Sequence, residues 1–185
     1  LAKKMLADAG YPNGFGMTIH GPNDRYINDA KIAQAVGQML TRVGIDMKVE
    51  TMPKSVFFIS ASSGGPDKTP KYSFILVGWG SGTGEASSAL KSLIHTKDSA
   101  AGFGASNRGR YSNPEVDSLI EQALATVDDP KREALLAKAT EIAMNDLAII
   151  PMHYQVNTWA TRKDAGLKYL PRTDERTQFG SLVRE

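Results

Sequence analysis

The chain has 185 residues, 41% hydrophobic and 23% charged, and its 22 basic and 20 acidic side chains leave a formal net charge of +2. That length allows one substantial domain or two small ones of ordinary globular composition. So small a charge, on dispersed basic residues, argues against a nucleic-acid surface; no apolar run approaches the ~20 residues needed to cross a bilayer; and the lack of cysteine excludes disulfide frameworks and thiolate chemistry. The first residue is Leu, and no signal peptide precedes it, so a processed, truncated or excised piece of a longer protein is expected.

Residues 1–9 read as the end of a helix, with Met5 and Leu6 apolar and Gly10 as the stop. YPNG at 11–14 is a turn by composition, and 15–20 alternate as a strand does. Over 28–43, Ile32, Val36, Met39, Leu40 and Val43 fall at helical spacing, and Gly44 closes the helix. Ile45, Met47, Val49 and Thr51 then alternate with Asp46, Lys48 and Glu50, which predicts a half-buried strand. Strand, helix, strand in this order implies a right-handed parallel crossover. Residues 53–62 suit a short helix with Val56, Phe57 and Ile59 on one face, and 63–70 an exposed, mobile loop.

The stretch YSFILVGWGSGTGE at 72–85 is the most informative. The apolar run 74–77 predicts a buried strand, which stops at Gly78 and Trp79. A loop of small residues, 80–84, follows, and 86–95 read as a helix. A strand that delivers an aromatic ring and a donor-rich loop to one end of a sheet is a common way to build a ligand crevice in α/β proteins. Residues 96–112 show little periodicity and form a long loop, functional or disordered, with NRGR at 107–110 near its end.

Asn113 can cap the next helix, Pro114 fits its first position, and Glu115 suits its positive end. Val116, Leu119, Ile120, Ala123, Leu124 and Val127 form its apolar stripe. Asp128, Asp129 and Pro130 repeat the start signal, and Leu135, Leu136, Ala139, Ile142 and Ala143 carry a second stripe, so an antiparallel helix pair is expected. Residues 147–151 read as a buried extended segment and 152–161 as a strand that continues it. The tail from Arg162 is too polar to build a core alone and is expected to dock elsewhere.

No catalytic constellation stands out. His20, His95 and His153 lack metal-ligand spacing and read as surface or hydrogen-bonded core residues. The 80–84 loop lacks the Lys-Ser/Thr ending of a phosphate loop, and Ser81 between Gly80 and Gly82 does not match a nucleophile elbow. No metal or cofactor is expected. Binding chemistry is better represented. Trp79 offers a flat face for stacking. The amides of 81–84 can donate to a carboxylate or carbonyl. Arg108 or Arg110 can grip a carboxylate with a bidentate fork.

Several strings, in order, resemble one family: ADAGYPNGF at 7–15, QMLTRVGI at 38–45 with KVE at 48–50, FILVGW at 74–79, YSNPEVDSLI at 111–120, and 129–154 with its IPM. The chain resembles the C-terminal part of an extracytoplasmic solute-binding protein of the peptide/nickel/opine class, which feeds ABC importers. The resemblance implies an α/β fold, like the type II periplasmic binding proteins, whose two lobes close on ligand like a hinge. Residues 1–148 would be the C-terminal lobe, with a mixed sheet flanked by helices. Residues 149–185 would be the returning hinge strand and a tail that docks on the N-terminal lobe. The implied protein is a non-enzymatic, monomeric, periplasmic or membrane-associated subunit. It would capture a peptide-like or other small polar solute and pass it to a membrane permease, with no nucleic acid involved. The implied ligand-binding residues are Trp79, Gly80, Ser81, Gly82, Thr83, Asn107 and Arg108. Peptide-binding members that hold a free amino group carry an Asp where this chain has Gly82, which leaves opines, nickel chelates, modified peptides and oligosaccharides open. Glu85, nearby, is a candidate for a charge. A chemosensory module, or a hydrolase using Ser81, are the rival readings.

Overall fold

The structure, a computed structural model, describes residues 1–82, 84–172 and 177–184. The chain divides into two compact units, Leu1–Gly78 and Trp79–Glu185.

The first unit opens with helix α1 (Ala2–Asp8) and strand β1 (Gly16–Pro22). Helix α2 (Asp29–Arg42) then leads to strand β2 (Asp46–Met52), which pairs parallel with β1 from Gly16–Asp46 to Pro22–Met52. The parallel crossover expected from the periodicity is therefore present. Helix α2 comes so close to β2 that a Cβ on Gly37 would lie 2.6 Å from Val49 Cγ2. Helix α3 (Lys54–Ser63) follows, and its N-terminal amide at Lys54 is met by Asp24 Oδ1 at 2.6 Å. Ile19, Ala33, Ile45, Phe57 and Ala61 form the buried interior. Each large side chain there contributes about 1.5–3 kcal/mol through burial.

The start of α2 is set by Asp29 rather than by Asn28. Asn28 is left-handed and makes no side-chain cap. The buried Asp29 carboxylate accepts from the amides of Arg25, Tyr26 and Ala30 at 2.8–3.0 Å. Burial alone would raise its pKa, but those amides hold it below the usual carboxylate range.

The run 74–77 is neither fully buried nor a regular strand, contrary to expectation. It meets β1 at one bridge, Ile75 with His20; His20 N donates to Phe74 O at 3.0 Å and Leu76 N to His20 O at 2.9 Å. Phe74, Ile75 and Leu76 are half-buried and Val77 is exposed. Past that bridge the segment's next carbonyl partner is a side chain, Tyr26 Oη on Gly78 O at 3.2 Å. His20 itself stacks on Tyr72 with ring centroids 3.8 Å apart.

The second unit is built on helices. Helix α4 (Ser87–Ala89) runs on as a π-helical turn, Leu90–Ile94. Helices α5 (Pro114–Ala125) and α6 (Asp129–Asn145) pack against it. Both expected caps form: Asn113 Oδ1 accepts from Glu115 N at 3.0 Å, and Asp128 Oδ1 from Lys131 N at 3.0 Å, each worth about 1 kcal/mol. Leu90, Ile94, Val116, Ile120, Ala123, Leu136, Ala139 and Ala143 make one core. Its alanines let the helices approach closely.

The loop 96–112 is organised from inside. Asn107 is 4% exposed. Its Nδ2 donates to His95 O at 3.0 Å and Tyr111 O at 2.7 Å, while Tyr111 N donates to its Oδ1 at 3.1 Å. The buried His95 ring stacks on Phe103, its Nδ1 lies 2.8 Å from Thr96 O, and its Nε2 lies 3.1 Å from Glu121 Oε1.

The segment after α6 departs from expectation. Leu147 is 76% exposed and Ile150 69%, and residues 151–160 form no helix or strand. An apolar run needs a facing surface to be buried, and this unit supplies none there. The tail instead forms a short antiparallel pair, β3 (Leu167–Tyr169) with β4 (Leu182–Arg184), which its composition does not announce.

Two expectations follow from these buried polar groups. Asp29→Ala should lower stability at neutral pH by about 2 kcal/mol, the range for hydrogen bonds to a charged acceptor. Because the folded-state pKa of Asp29 is depressed, that contribution is complete above the unfolded value of about 3.9 and is lost as pH falls through the lower folded value. Urea unfolding of both proteins should therefore converge in acid, and an undiminished gap there would contradict the assignment. Asn107→Ala should cost on the order of 2–4 kcal/mol by leaving several buried backbone groups unpaired. Hydrogen exchange at the Tyr111 amide should accelerate, and unchanged protection would show that the loop is held elsewhere.

Candidate ligand-binding site

Trp79 opens the second unit with 44% of its surface exposed, and Gly80 and Gly82 are exposed beside it. A Cβ on Gly82 would meet nothing within 4 Å. Thr83 lies outside the described residues. Ser81 is half-buried; its Oγ donates to Glu85 O at 2.6 Å and lies 3.2 Å from Ser88 Oγ. Neither partner is a general base, so this pairing gives the hydroxyl no activation. It closes a turn that feeds α4.

Glu85 is not a free charge. Arg132, in the first turns of α6, grips it with two nitrogens, Nε to Oε2 at 3.0 Å and Nη2 to Oε1 at 2.6 Å. Ser87 Oγ also donates to Oε1. The Arg132 and Ser87 hydrogen bonds hold the Glu85 carboxyl below its ordinary range, and Glu85 in turn raises Arg132. Arg132 Nη1 reaches further, to Ala123 O at 2.7 Å near the end of α5, where a cation also suits the helix dipole. One guanidinium thus joins the glycine-rich loop, α5 and α6.

Asn107 and Arg108 enter from the other end of the same helical element. Asn107 answers the carbonyl of His95, just past the π-helical turn, so its amide is committed to loop shape. Arg108 is half-buried, and its backbone N–H donates to Ser106 O at 2.9 Å. Arg110 is exposed and left-handed at φ 57. Tyr111 continues the chain of contacts: its hydroxyl donates to Asp146 Oδ2 at 2.6 Å, and Asn113 Nδ2 donates to the same oxygen at 2.9 Å. Burial, then the Asp146 hydrogen bond, push the Tyr111 phenol up to about 12, while Tyr111 and Asn113 hold Asp146 below its usual value.

Arg132 and Asp146 were not singled out from the sequence, and Tyr111 only as the start of the family string 111–120. Arg132 sits among Asp129, Lys131 and Glu133 and reads locally as a solvent charge. Among the described residues, no cluster of three or more His, Cys, Asp or Glu is arranged to hold a metal ion. Nor is any helix long and apolar enough to cross a membrane.

The family model described as bacterial extracellular solute-binding proteins, family 5 Middle, matches residues 1–101, more than half of the chain. The glutathione-binding protein GsiB of Escherichia coli (strain K12) is 30% identical over 151 residues, which cover 82% of this chain and 29% of GsiB. The ABC transporter-associated periplasmic binding protein DppA from Helicobacter pylori, solved with the peptide STSA, superposes with a TM-score of 0.66 at 27% identity, over 79% of this chain and 27% of DppA. HbpA2 from Haemophilus parasuis superposes with a TM-score of 0.74 at 21% identity, over 99% of this chain and 34% of HbpA2, a likeness of fold. The chain spans less than a third of the length of the curated relatives it matches. Its fold is the α/β fold of the type II periplasmic binding proteins, and the chain belongs to family 5 of the bacterial extracellular solute-binding proteins.

Proposed function

We propose that this chain is the ligand-contacting part of the second lobe of an ABC importer's solute-capture subunit, working outside the cytoplasmic membrane and delivering its solute to a permease. The observation that carries the reading is the 79–82 loop. It exposes an indole and flexible backbone, yet Ser81 and Glu85 tie it to helical structure. A ring held in place but left open loses little conformational entropy on meeting a ligand. Arg108, beside the buried Asn107, is the proposed partner for a ligand carboxylate, with Gly80, Ser81, Gly82 and Thr83 supplying backbone donors.

The solute is peptide-like or another small polar molecule. A bound glutathione would agree with the name of the GsiB relatives, and a short peptide with the DppA complex. With Glu85 neutralised by Arg132 and no side chain at Gly82, the described part of this loop offers no spare carboxylate to a ligand ammonium. Residues 149–185 act as the return crossing and tail that dock on the N-terminal lobe. The exposed apolar side chains Ile150, Met152, Tyr154 and Val156 support that role.

Calorimetry should show the 185-residue chain binding glutathione or the peptide Ser-Thr-Ser-Ala far more weakly than the longer protein does. Losing about 3 kcal/mol of contacts from the other lobe costs roughly a hundredfold in affinity. Equal affinities would place the site wholly within this chain. In the longer protein, Gly82→Asp should favour Ser-Thr-Ser-Ala over its N-acetylated form by about tenfold, the value of one modest ammonium–carboxylate pair. The open space at Gly82 admits that side chain without displacing a neighbour. An unchanged preference would remove this loop from the ligand's amino end.

A further inference from the structure

We infer that Arg132 is a positioning residue for the ligand loop, holding it through Glu85 without touching the solute. The inference rests on the proposed role of residues 79–82. Three observations carry it. The Arg132 fork meets both Glu85 oxygens in a planar pairing that lysine cannot reproduce. The third guanidinium nitrogen is committed to Ala123 O, with Thr126 O at 3.5 Å, so the arginine is anchored to the end of α5 before it reaches the loop. Glu85 receives Ser87 Oγ on its side chain and Ser81 Oγ on its carbonyl, so the loop on one side and α4 on the other meet at this residue.

The pairing spans 47 residues of sequence and joins the stretch between Trp79 and α4 to the helical core. Its stabilising value is limited, because both side chains are partly exposed. Its effect is geometric. It fixes one end of a chain rich in glycine, whose freedom would otherwise spread the Trp79 ring over many orientations. A bound solute would then have to order that loop itself, which weakens binding and speeds release.

The test uses Trp79 as its own reporter. The chain has two tryptophans, so a Trp159→Phe background leaves Trp79 emission alone. Acrylamide quenching of Trp79 should rise in Arg132→Ala and in Glu85→Gln, and the double variant should be no more quenched than either single one. Arg132→Lys, which keeps the charge and loses the fork, should fall between wild type and Arg132→Ala; it also serves if the alanine variant fails to fold. Unchanged quenching in the single variants, or strictly additive effects in the double one, would overturn the clamp. In the longer protein, titrated with glutathione and with Ser-Thr-Ser-Ala, Arg132→Ala should weaken whichever solute binds about three- to tenfold, mainly through faster dissociation. Raised quenching with unaltered affinity would overturn the assignment of the loop to the ligand while leaving the clamp standing.

Discussion

Asn107 ties the end of the π-helical turn in the second unit to the loop that follows. The last carbonyls of any helix lack intrahelical partners. Where the amides of Gly104 and Ser106 meet Lys91 O and Ser92 O, Asn107 meets the carbonyls that come next. Its side-chain amide reaches the carbonyls of His95 and Tyr111, and its oxygen takes the Tyr111 amide. Because Asn107 is buried, none of these groups can turn to water instead. Asn107 is therefore the buried centre of this loop, whose backbone is also held by Gly104 N on Lys91 O, Ser106 N on Ser92 O and the Asp98–Phe103 bridge. Asn107 fixes the position of Tyr111 and, through Tyr111, the grip on Asp146, while Asn113 caps the start of α5. Local π geometry often marks functional positions, and here it lies between the two parts of the proposed site.

Charge is used in both units to organise turns rather than to decorate the surface. Asp29 gathers three backbone amides at the head of α2, and Arg132 gathers a carboxylate and helix-end carbonyls at the head of α6. In each case one ionised side chain satisfies donors or acceptors from segments that have no regular structure to satisfy them. The same economy explains why the proposed site is poor in spare charge: the acid nearest the glycine-rich loop is already matched. A binding surface made of an aromatic face and backbone amides discriminates by shape and hydrogen bonding more than by net charge.

Elements whose information is local were legible in the sequence. The spacing of Ile32, Val36 and Met39 against Gly44, the alternation through β2, and the Asn113–Pro114 and Asp128–Pro130 starts each encode a structure that needs no distant partner to be recognised. The strings around Trp79 and Tyr111 made the family legible as well. What stayed hidden depends on partners. The runs at 74–77 and 147–151 state a demand for burial but not what meets it, and in this chain the demand is met partly or not at all. The π turn is invisible because Leu90 and Ile94 fit ordinary helical spacing. Nothing near Arg132 points to an acid 47 residues earlier. The three-residue strands of the tail are too short to carry a period.

Leu147 stands at φ 56 immediately after the doubly tethered Asp146. A left-handed, non-glycine residue costs about 1–2 kcal/mol, so the chain leaves α6 through a sharp and deliberate break. Beyond it, residues 151–160 run exposed and irregular, with Tyr154 98% accessible. A protease needs an accessible backbone that can lie flat in its cleft, and it finds that where helix and strand are absent. Limited digestion would therefore sever the chain within 151–160, trimming the tail from a body that keeps its helical core. Covering the same stretch with a partner surface would hide the scissile bonds, so resistance to cleavage becomes a direct readout of docking.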